Sequence, residues 1–352
     1  MSSISCSCGE EGLDAPEPSF VWDNVIEKIE EAETIAICGH INPDGDAIGS
    51  TLALGRSLRR RYPEKAISCL LPSGNPVPRI YRFLPGAADM TPASAYALNP
   101  DLFISVDVPN LERLGDAAMV AQRSEYVVTI DHHPARAEFA NVVVRRPDAA
   151  ACAVIIDDFL IFAGYPVDPD VANCLLTGLV TDTGRFQYQN ANSEAFTCAS
   201  RLVHAGADPA LVSLRVYQSQ RLEYMHLESV VMGRIAAAAD GRVAYSYAYA
   251  SDLSEHGVSA DECDGLVDVV RSIDGAKVCL FLREVGEGEI RGNLRSKCEL
   301  DISGIAAAHN GGGHAAAAGF TFFGTVQEAI DSILPELVEL VCAADADAQA
   351  QA

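Results

Sequence analysis

The sequence predicts an α/β protein of two domains, in which an N-terminal, mainly parallel sheet with helices on both faces is followed by a smaller C-terminal α+β domain. In the first half of the 352-residue chain, apolar runs of strand length alternate with patterns of helical spacing. In the second half, strand-like runs follow one another with fewer helices between them. A hydrophobic content of 49 % is sufficient for two cores in a chain of this length.

The first domain is predicted to span residues 20–208, after a polar, proline-containing tail at residues 1–19 that we expect to be disordered. Apolar runs predict strands at residues 35–38, 66–71, 102–106 and 126–130. Periodic apolar positions predict helices at residues 20–33, 47–62, 149–163, 169–180 and 193–204. This alternation is typical of βαβ units, which build parallel sheets covered on both faces.

A charged helical connector is predicted at residues 209–234, where no clear core pattern is visible, and it is the candidate hinge between the domains. The second domain follows at residues 235–341, with predicted strands at residues 243–250, 277–283 and 289–294 and helices at residues 302–309 and 326–341. Residues 342–352 are of low complexity, so we expect a disordered tail there.

Charge and composition narrow the class of function. The net charge of −24 argues against a protein that grips long nucleic acid through its phosphates, so nucleotide substrates should be short. Without an apolar membrane span or a signal-peptide pattern, we expect a cytoplasmic protein with no membrane partner. Most of the eleven cysteines stand singly in apolar segments, which predicts free thiols and no structural zinc. Cys6 and Cys8 are close together, but nothing assigns them a role.

The most informative stretch is His40-Ile41-Asn42-Pro43-Asp44-Gly45-Asp46, between a predicted strand and a predicted helix. A histidine and two carboxylates on a tight turn can direct three ligands into the crevice at the carboxyl end of a strand, where open α/β sheets bind ligands. The alternative is an acidic turn in which Asp46 is the N-cap of the helix.

Acidic and imidazole groups also follow other predicted elements. Asp107 ends one strand, Asp131, His132 and His133 end another, and Asp182 follows a helix in Thr-Asp-Thr-Gly. Taken singly, Asp107 and Asp182 could be ordinary residues of turns and helix ends, and the two histidines could lie on the surface.

Together, His40, Asp44, Asp46, Asp107, His132 and Asp182 supply oxygen and nitrogen ligands without a thiolate. Such a set suits Mn²⁺ or Mg²⁺, with Fe²⁺ or Co²⁺ as alternatives. Six ligands are more than one catalytic ion needs, so two ions that share a bridging carboxylate are predicted. The natural reaction of such a pair is phosphoester hydrolysis.

These motifs, in this order over residues 20–341, resemble those of the DHH phosphoesterase superfamily with a DHHA1 second domain and an active-site cleft between the two domains. More narrowly, they resemble the oligoribonuclease (nanoRNase) and adenosine 3′,5′-bisphosphate phosphatase group. The resemblance implies a manganese-dependent hydrolase that cuts short RNA to mononucleotides and converts the bisphosphate to AMP.

The resemblance also implies roles for individual residues. His40 and Asp44 would hold one manganese ion, Asp46, His132 and Asp182 the other, and Asp107 would bridge them. His133 would face the scissile phosphate, where it stabilises charge or protonates the leaving oxygen. Asp131 and Asn42 would support the ligands from behind.

Phosphate-binding residues are expected in the second domain. The resemblance implies that Arg295, Ser296 and the run Gly311, Gly312, Gly313, His314 bind the nucleotide across the cleft, where glycine amides can approach an anion closely. The alternative is a glycine-rich turn with a solvated histidine. From the first domain, Arg185 could contact phosphate, and Phe186 is either a base contact or a core residue.

Two rival functions remain open. A phosphodiesterase for cyclic di-AMP or its linear product pApA would use the same core and second domain. A catalytically silent nucleotide-binding protein would be expected to have lost one of the six ligands, and none is missing. The sequence does not fix the oligomeric state, and a homodimer is one state it allows.

Overall fold

The computed structural model describes residues 18–134 and 139–351. A six-stranded parallel sheet organises the first domain, with the order β3-β2-β1-β4-β5-β6. Its strands are β1 (Thr34–Cys38), β2 (Ala66–Leu71), β3 (Thr91–Pro92), β4 (Leu102–Val106), β5 (Tyr126–Asp131) and β6 (Val142–Arg145). The four predicted strands are confirmed, and the two edge strands β3 and β6 were not predicted.

Helices cover both faces of this sheet, as predicted. The helices of the first domain and connector are α1 (Pro18–Glu31), α2 (Gly45–Arg61), α3 (Ala117–Gln122), α4 (Cys152–Phe162), α5 (Pro169–Asp182), α6 (Ser193–His204), α7 (Pro209–Tyr217) and α8 (Leu222–Gly233). Alternate strand residues face opposite sides: Ile35 and Ile37 pack in the large core with α2, α4 and α5, whereas Ala36 and Cys38 pack in a smaller core with α3.

Helices α2 and α5 pack unusually closely because glycines line their contact. A Cβ atom on Gly49 would lie 2.3 Å from the Cys174 carbonyl oxygen, and one on Gly45 would lie 2.4 Å from Thr181 Oγ1. A Cβ atom on Gly178 would lie 2.6 Å from Asp46 Oδ1. The small residues therefore bring the first turn of α2 against the end of α5, where Asp46 and Asp182 stand.

A second six-stranded sheet organises the C-terminal domain, with the order β11-β12-β10-β9-β8-β7. Its strands are β7 (Ala236–Ala238), β8 (Val243–Ala248), β9 (Val278–Gly286), β10 (Glu289–Ser296), β11 (Gly312–His314) and β12 (Ala317–Phe323). Its helices are α9 (Ala250–His256), α10 (Leu266–Arg271), α11 (Ser303–Ala308) and α12 (Val326–Gln351). One face packs on α12 through Ile333, Leu337 and Val341. All neighbours pair antiparallel except β8 and β9.

One sequence prediction about a flexible segment needs correction, and another lies mostly outside the described residues. Helix α12 continues to Gln351, so the expected disordered tail at residues 342–352 is wrong for residues 342–351. The alanine-rich segment favours helix, and Asp345 pairs with Arg242 and Lys277 beside the sheet. Most of the expected N-terminal tail, residues 1–17 with Cys6 and Cys8, lies outside the described residues. Helix α1 begins at Pro18.

The connector is two helices with a break at residues 218–221. A core pattern is present after all, since Val212, Val216, Tyr224, Leu227 and Val231 are buried. It was not visible in the sequence because α7 packs on the first domain and α8 on the second. No helix in the described ranges is long and apolar enough to cross a membrane.

Candidate metal centre

The candidate ligands of the first domain meet at the carboxyl ends of the strands of the parallel sheet. His40 follows β1, Asp107 follows β4, His132 follows β5, and Asp182 is the last residue of α5. Asp107 has a φ of +61°, a left-handed conformation that is rare for residues other than glycine, and its amide donates to the Ile130 carbonyl at 2.9 Å. Rare backbone conformations of this kind cluster at functional sites.

Asp107 stands between two groups of side chains. Its Oδ2 lies 3.3 Å from His40 Nε2, which is 3.7 Å from Asp44 Oδ2. Its Oδ1 lies 3.3 Å from His132 Nε2, which is 3.3 Å from Asp182 Oδ2. Ligand atoms of Asp46, His132 and Asp182 all lie within 4.8 Å of one another, as do those of His40, Asp44 and Asp107. The structure thus brings the six predicted metal ligands together as two groups of three, with Asp107 adjoining both.

The rings of all three histidines are fixed through Nδ1. His40 Nδ1 lies 2.8 Å from the Ile41 carbonyl oxygen, and His132 Nδ1 lies 3.2 Å from that of Ala149. His133 Nδ1 lies 2.8 Å from Asp131 Oδ1 and 3.6 Å from Asp107 Oδ1. When Nδ1 carries the proton in these contacts, Nε2 of His40 and of His132 keeps its lone pair for a cation.

Asp44, rather than Asp46, is the N-cap of α2. Its Oδ1 accepts hydrogen bonds from the amides of Asp46 and Ala47 at 2.9 and 3.0 Å, which leaves Oδ2 beside His40. Asp46 is fully buried and accepts from Ser50 Oγ and from the amides of Cys152 and Ala153. The alternative of Asp46 as a cap is therefore wrong.

Asn42 is exposed and has a φ of +52°, a conformation that asparagine tolerates well. This conformation gives Asn42 a role in the turn itself, and among the described residues its side chain makes no hydrogen bond with a ligand residue.

Burial makes the negative charge of this carboxylate cluster energetically unfavourable. Burial and the neighbouring Asp107 carboxylate raise the pKa of Asp46 to about 7, and burial raises the pKa of Asp182 well above its ordinary range. Against the effect of burial, His132 and His40 hold the pKa of Asp107 well below its usual value. Burial opposes a charge on His40, but the Asp107 and Asp44 carboxylates raise its pKa to about 10. Without cations, protons must neutralise an excess of buried carboxylates.

The donor set fits divalent cations. Asp107 Oδ1 is buried and accepts no hydrogen bond from the described residues. A buried carboxylate oxygen without a donor is expensive unless a cation pairs with it. Oxygen and imidazole ligands, with no thiolate among them, suit hard or borderline metals.

The second domain contributes a fourth histidine to this centre. The ring of His314 stacks on His133 with centroids 4.6 Å apart and an interplanar angle of 23°, and it lies 4.8 Å from the His132 ring. Burial, and then the neighbouring His132 and His133, lower the pKa of His314 to about 3, so this ring is neutral at physiological pH.

The glycines before His314 allow a close approach of β11 to β12. A Cβ atom on Gly311 would lie 2.1 Å from the Gly319 carbonyl oxygen, and Gly313 has a φ of +139°. Gly312 pairs with Gly319 in the same ladder. The glycine run therefore has a packing role in carrying His314 to the cleft, in addition to the expected anion contact.

Arg295 lies on the face of β10 that is opposite the core with α12. It shares this face with Arg291 and Asn293, since Ile290 and Leu294 are buried on the other side. Its Nη1 donates to the Leu294 carbonyl at 2.9 Å, while its Nε is buried and makes no hydrogen bond within the described residues. Ser296, predicted to bind phosphate with Arg295, is buried on the opposite face of β10, and its hydroxyl donates to the Cys298 carbonyl at 2.8 Å.

Arg185 and Phe186 have contacts within the first domain and connector. The Arg185 guanidinium lies 4.7 Å from the centroid of the Tyr217 ring, and Phe186 stacks on Phe196 at 5.0 Å. Phe186 also packs against the large core, so of its two predicted roles the structure favours the core residue.

Two further residues at the centre were not predicted. Arg113 Nη2 lies 3.2 Å from His40 Nδ1, and Tyr188 donates across the cleft to Asp268 Oδ1 at 3.0 Å. Neither stands in a recognisable motif, because their contacts come from distant parts of the chain. The only signal for Tyr188 is its position six residues after Asp182.

Comparison with known proteins identifies the class that this fold and site define. The model of the DHH family N-terminal domain matches residues 34–179, and that of the DHHA1 domain matches residues 240–343. The chain belongs to the DHH/DHHA1 phosphoesterases, as its motifs predict.

Individual relatives match nearly the whole chain. The bifunctional oligoribonuclease and PAP phosphatase NrnA of Thermus thermophilus is 29 % identical over 330 residues, which is 92 % of this chain and 96 % of the relative. The crystal structure of an exopolyphosphatase-related protein from Bacteroides fragilis superposes with a TM-score of 0.83 at 26 % identity, over 93 % of this chain and 98 % of that one. RecJ from Thermus thermophilus, solved in complex with Mn²⁺, shares the fold at 16 % identity with a TM-score of 0.51, over 94 % of this chain and 55 % of RecJ.

Proposed function

We propose that this protein is a manganese-dependent phosphoesterase that hydrolyses short RNA oligonucleotides to mononucleotides and adenosine 3′,5′-bisphosphate to AMP. The observation that carries the proposal is the place of Asp107, with one carboxylate oxygen 3.3 Å from His40 and the other 3.3 Å from His132. The name of the Thermus relative, which aligns with 92 % of the chain, supports this choice of substrates.

The residues proposed to hold the cations are His40, Asp44 and Asp107 for one and Asp46, His132, Asp182 and Asp107 for the other. Two divalent cations bound there would act as Lewis acids toward a phosphoryl group and lower the pKa of a water molecule between them. Manganese is the proposed metal, and Mg²⁺, Co²⁺ and Fe²⁺ fit the same donors.

The protein's own groups would position the substrate and move a proton. His133, held by Asp131 at Nδ1, directs Nε2 toward the scissile phosphate, and with a proton on Nε2 as well it can stabilise charge or protonate the leaving oxygen. From the second domain, neutral His314 can donate one hydrogen bond to a phosphate oxygen, and Arg295 can donate charged ones. Closure of the two domains would exclude water from the bound substrate.

The test is hydrolysis by the purified full chain, stripped with EDTA and reloaded with Mn²⁺, Mg²⁺, Co²⁺ or Fe²⁺. The substrates are a 5′-labelled RNA dinucleotide, adenosine 3′,5′-bisphosphate, cyclic di-AMP and pyrophosphate. Turnover of the first two, greatest with Mn²⁺, is the expected result. Activity confined to cyclic di-AMP would replace the proposal by the signalling phosphodiesterase, and inactivity on all four would contradict it.

A further inference from the structure

The loop that follows Asp182 has an unusual backbone. Gly184, Arg185 and Phe186 have φ values of +54°, +64° and +59°, so three consecutive residues are in the left-handed region. For Arg185 and Phe186 this conformation is unfavourable and persists only where the surroundings impose it.

Hydrogen bonds fix the shape of this loop next to the metal centre. The amides of Gln187 and Tyr188 both donate to the Thr183 carbonyl at 3.0 Å. Asn190 Nδ2 donates to the Asp182 carbonyl at 3.1 Å and to that of Ala150 at 2.9 Å. These hydrogen bonds therefore fix the position of Tyr188 relative to that of Asp182.

Tyr188 reaches from this loop to the second domain. Its hydroxyl donates to Asp268 Oδ1 at 3.0 Å, and the Arg271 guanidinium carbon lies 4.6 Å from the centroid of its ring. A Cβ atom on Gly184 would lie 2.3 Å from the ring, so only glycine permits this packing. Because Gly184 and Arg271 both pack against the ring, it is poorly placed to stack on a nucleobase.

The partners of Tyr188 are firmly attached to the second domain. Asp268 and Arg271 lie on α10, whose Leu266 packs with Phe281 of β9 and whose Val270 packs with Cys279. Burial raises the pKa of the Tyr188 hydroxyl and the Arg295 guanidinium opposes this rise, so Arg295 also borders the contact.

We propose that Tyr188 is a positioning residue that holds the second domain closed over the metal centre, through its contacts with Asp268 and Arg271. The proposal rests on the proposed function for its substrate. While this contact is made, His314 rests on the rings of His132 and His133 and Arg295 faces the cleft. Loss of the contact would lower the population of the closed form and weaken apparent substrate binding by the same factor.

The test compares Tyr188→Phe, which keeps the ring, with Tyr188→Ala and with Asp268→Ala. Tyr188→Phe should raise KM for adenosine 3′,5′-bisphosphate about fivefold, the effect of one hydrogen bond, with kcat within about twofold of wild type. Tyr188→Ala should raise KM more than about tenfold, since the Arg271 contact is lost as well. Asp268→Ala should match Tyr188→Phe, and the double variant should add little to either.

Tyr62→Phe is the matched control, because its hydroxyl bonds Tyr165 within the first domain and should leave both constants unchanged. A fall in kcat at unchanged KM, with a lower melting temperature, would show that Tyr188 only supports the fold of the loop. That result, or fully additive effects of Tyr188→Phe and Asp268→Ala, would overturn the proposal.

A second readout needs no turnover. In the full-length protein, amides of residues 266–271 should exchange with deuterium faster in Tyr188→Ala than in wild type or Tyr62→Phe. If the wild type fails to hydrolyse the substrates yet exchange rises in this way, the proposed function fails while the interdomain contact stands. Unchanged exchange at α10 would refute the contact as a determinant of closure, whatever the activity.

Discussion

On the side of the first domain, the centre of the candidate site is made of almost fully buried side chains, whereas Asp44 and Asp182 at its margin are partly exposed. Asp46, Asp107 and His132 are 0 %, 2 % and 3 % exposed, and the first of these accepts two backbone hydrogen bonds. Across the cleft, the second domain offers a sheet face with Arg291, whose side chain is 45 % exposed, and Arg295. The side that would hold the cations is preorganised, and the side that would bind substrate is more open and more adaptable.

The largest effect on the side that would hold the cations is expected for Asp107→Asn. Because it removes the charge between the two groups at little change in shape, turnover should fall on the order of a thousandfold or more. Calorimetric titration with Mn²⁺ should show fewer than two bound ions, while circular dichroism remains unchanged.

The matched control is Asp101→Asn, just before the same strand that Asp107 follows. Asp101 accepts from the amides of Glu33 and Thr34, at the opposite end of the sheet from the ligands. It should keep full activity and both ions. Equal losses in the two variants would mean that Asp107 acts through stability alone.

On the other side of the cleft, Arg295→Ala should weaken catalysis without touching the metal. The loss of charged hydrogen bonds to phosphate is worth about 1.5–3 kcal/mol, so kcat/KM should fall about 10- to 150-fold. Mn²⁺ stoichiometry should stay that of the wild type. Arg242→Ala, which breaks an ion pair with Asp345 on α12, should leave kcat/KM unchanged. A change in bound Mn²⁺ in Arg295→Ala would argue against separate roles for the two sides.

The buried charge of the first side also predicts a pH dependence in metal-free protein. With a folded pKa of about 7, Asp46 keeps a proton that the unfolded chain loses near pH 4, so its ionisation costs stability as pH rises from 4 to 7. The raised pKa of His40, about 10, contributes stability below pH 6.5 that is lost as pH rises through 10. Both effects make the EDTA-treated protein less stable at pH 8 than at pH 5.

Urea unfolding in EDTA at pH 5, 6, 7 and 8 measures this slope. Asp46→Asn should flatten it between pH 5 and 7, and saturating Mn²⁺ should stabilise the wild type more at pH 8 than at pH 5. An identical slope in wild type and Asp46→Asn would refute the assignment to Asp46.

The sequence predicted what local patterns determine. Strands β2 and β4 have the predicted bounds because runs of apolar residues are typical of buried parallel strands. The ligands could be placed together because His40, Asp107 and His132 follow the carboxyl ends of β1, β4 and β5. The short strand β11 is Gly-Gly-His, which has little strand propensity, and it forms by pairing with the Ala-Ala-Gly half of β12, which in turn pairs with β10. The Tyr188 contact could not be predicted either, because its partners lie eighty residues away on another domain.

The smallest change in stability is expected for a variant at the end of α12, a region remote from both sides of the cleft. Asp345 pairs with Arg242 and Lys277, which lie just before β8 and β9. These ion pairs attach the end of the helix to the beginning of two strands of the sheet. Because surface ion pairs contribute little, Asp345→Ala should lower the melting temperature by no more than about 2 °C and leave kcat/KM unchanged. Asp331→Ala, which loses only a contact with Gln327 on the same helix, is the control. A loss of activity in Asp345→Ala alone would mean that the end of α12 affects the face carrying Arg295, and that the second domain responds to changes far from the cleft.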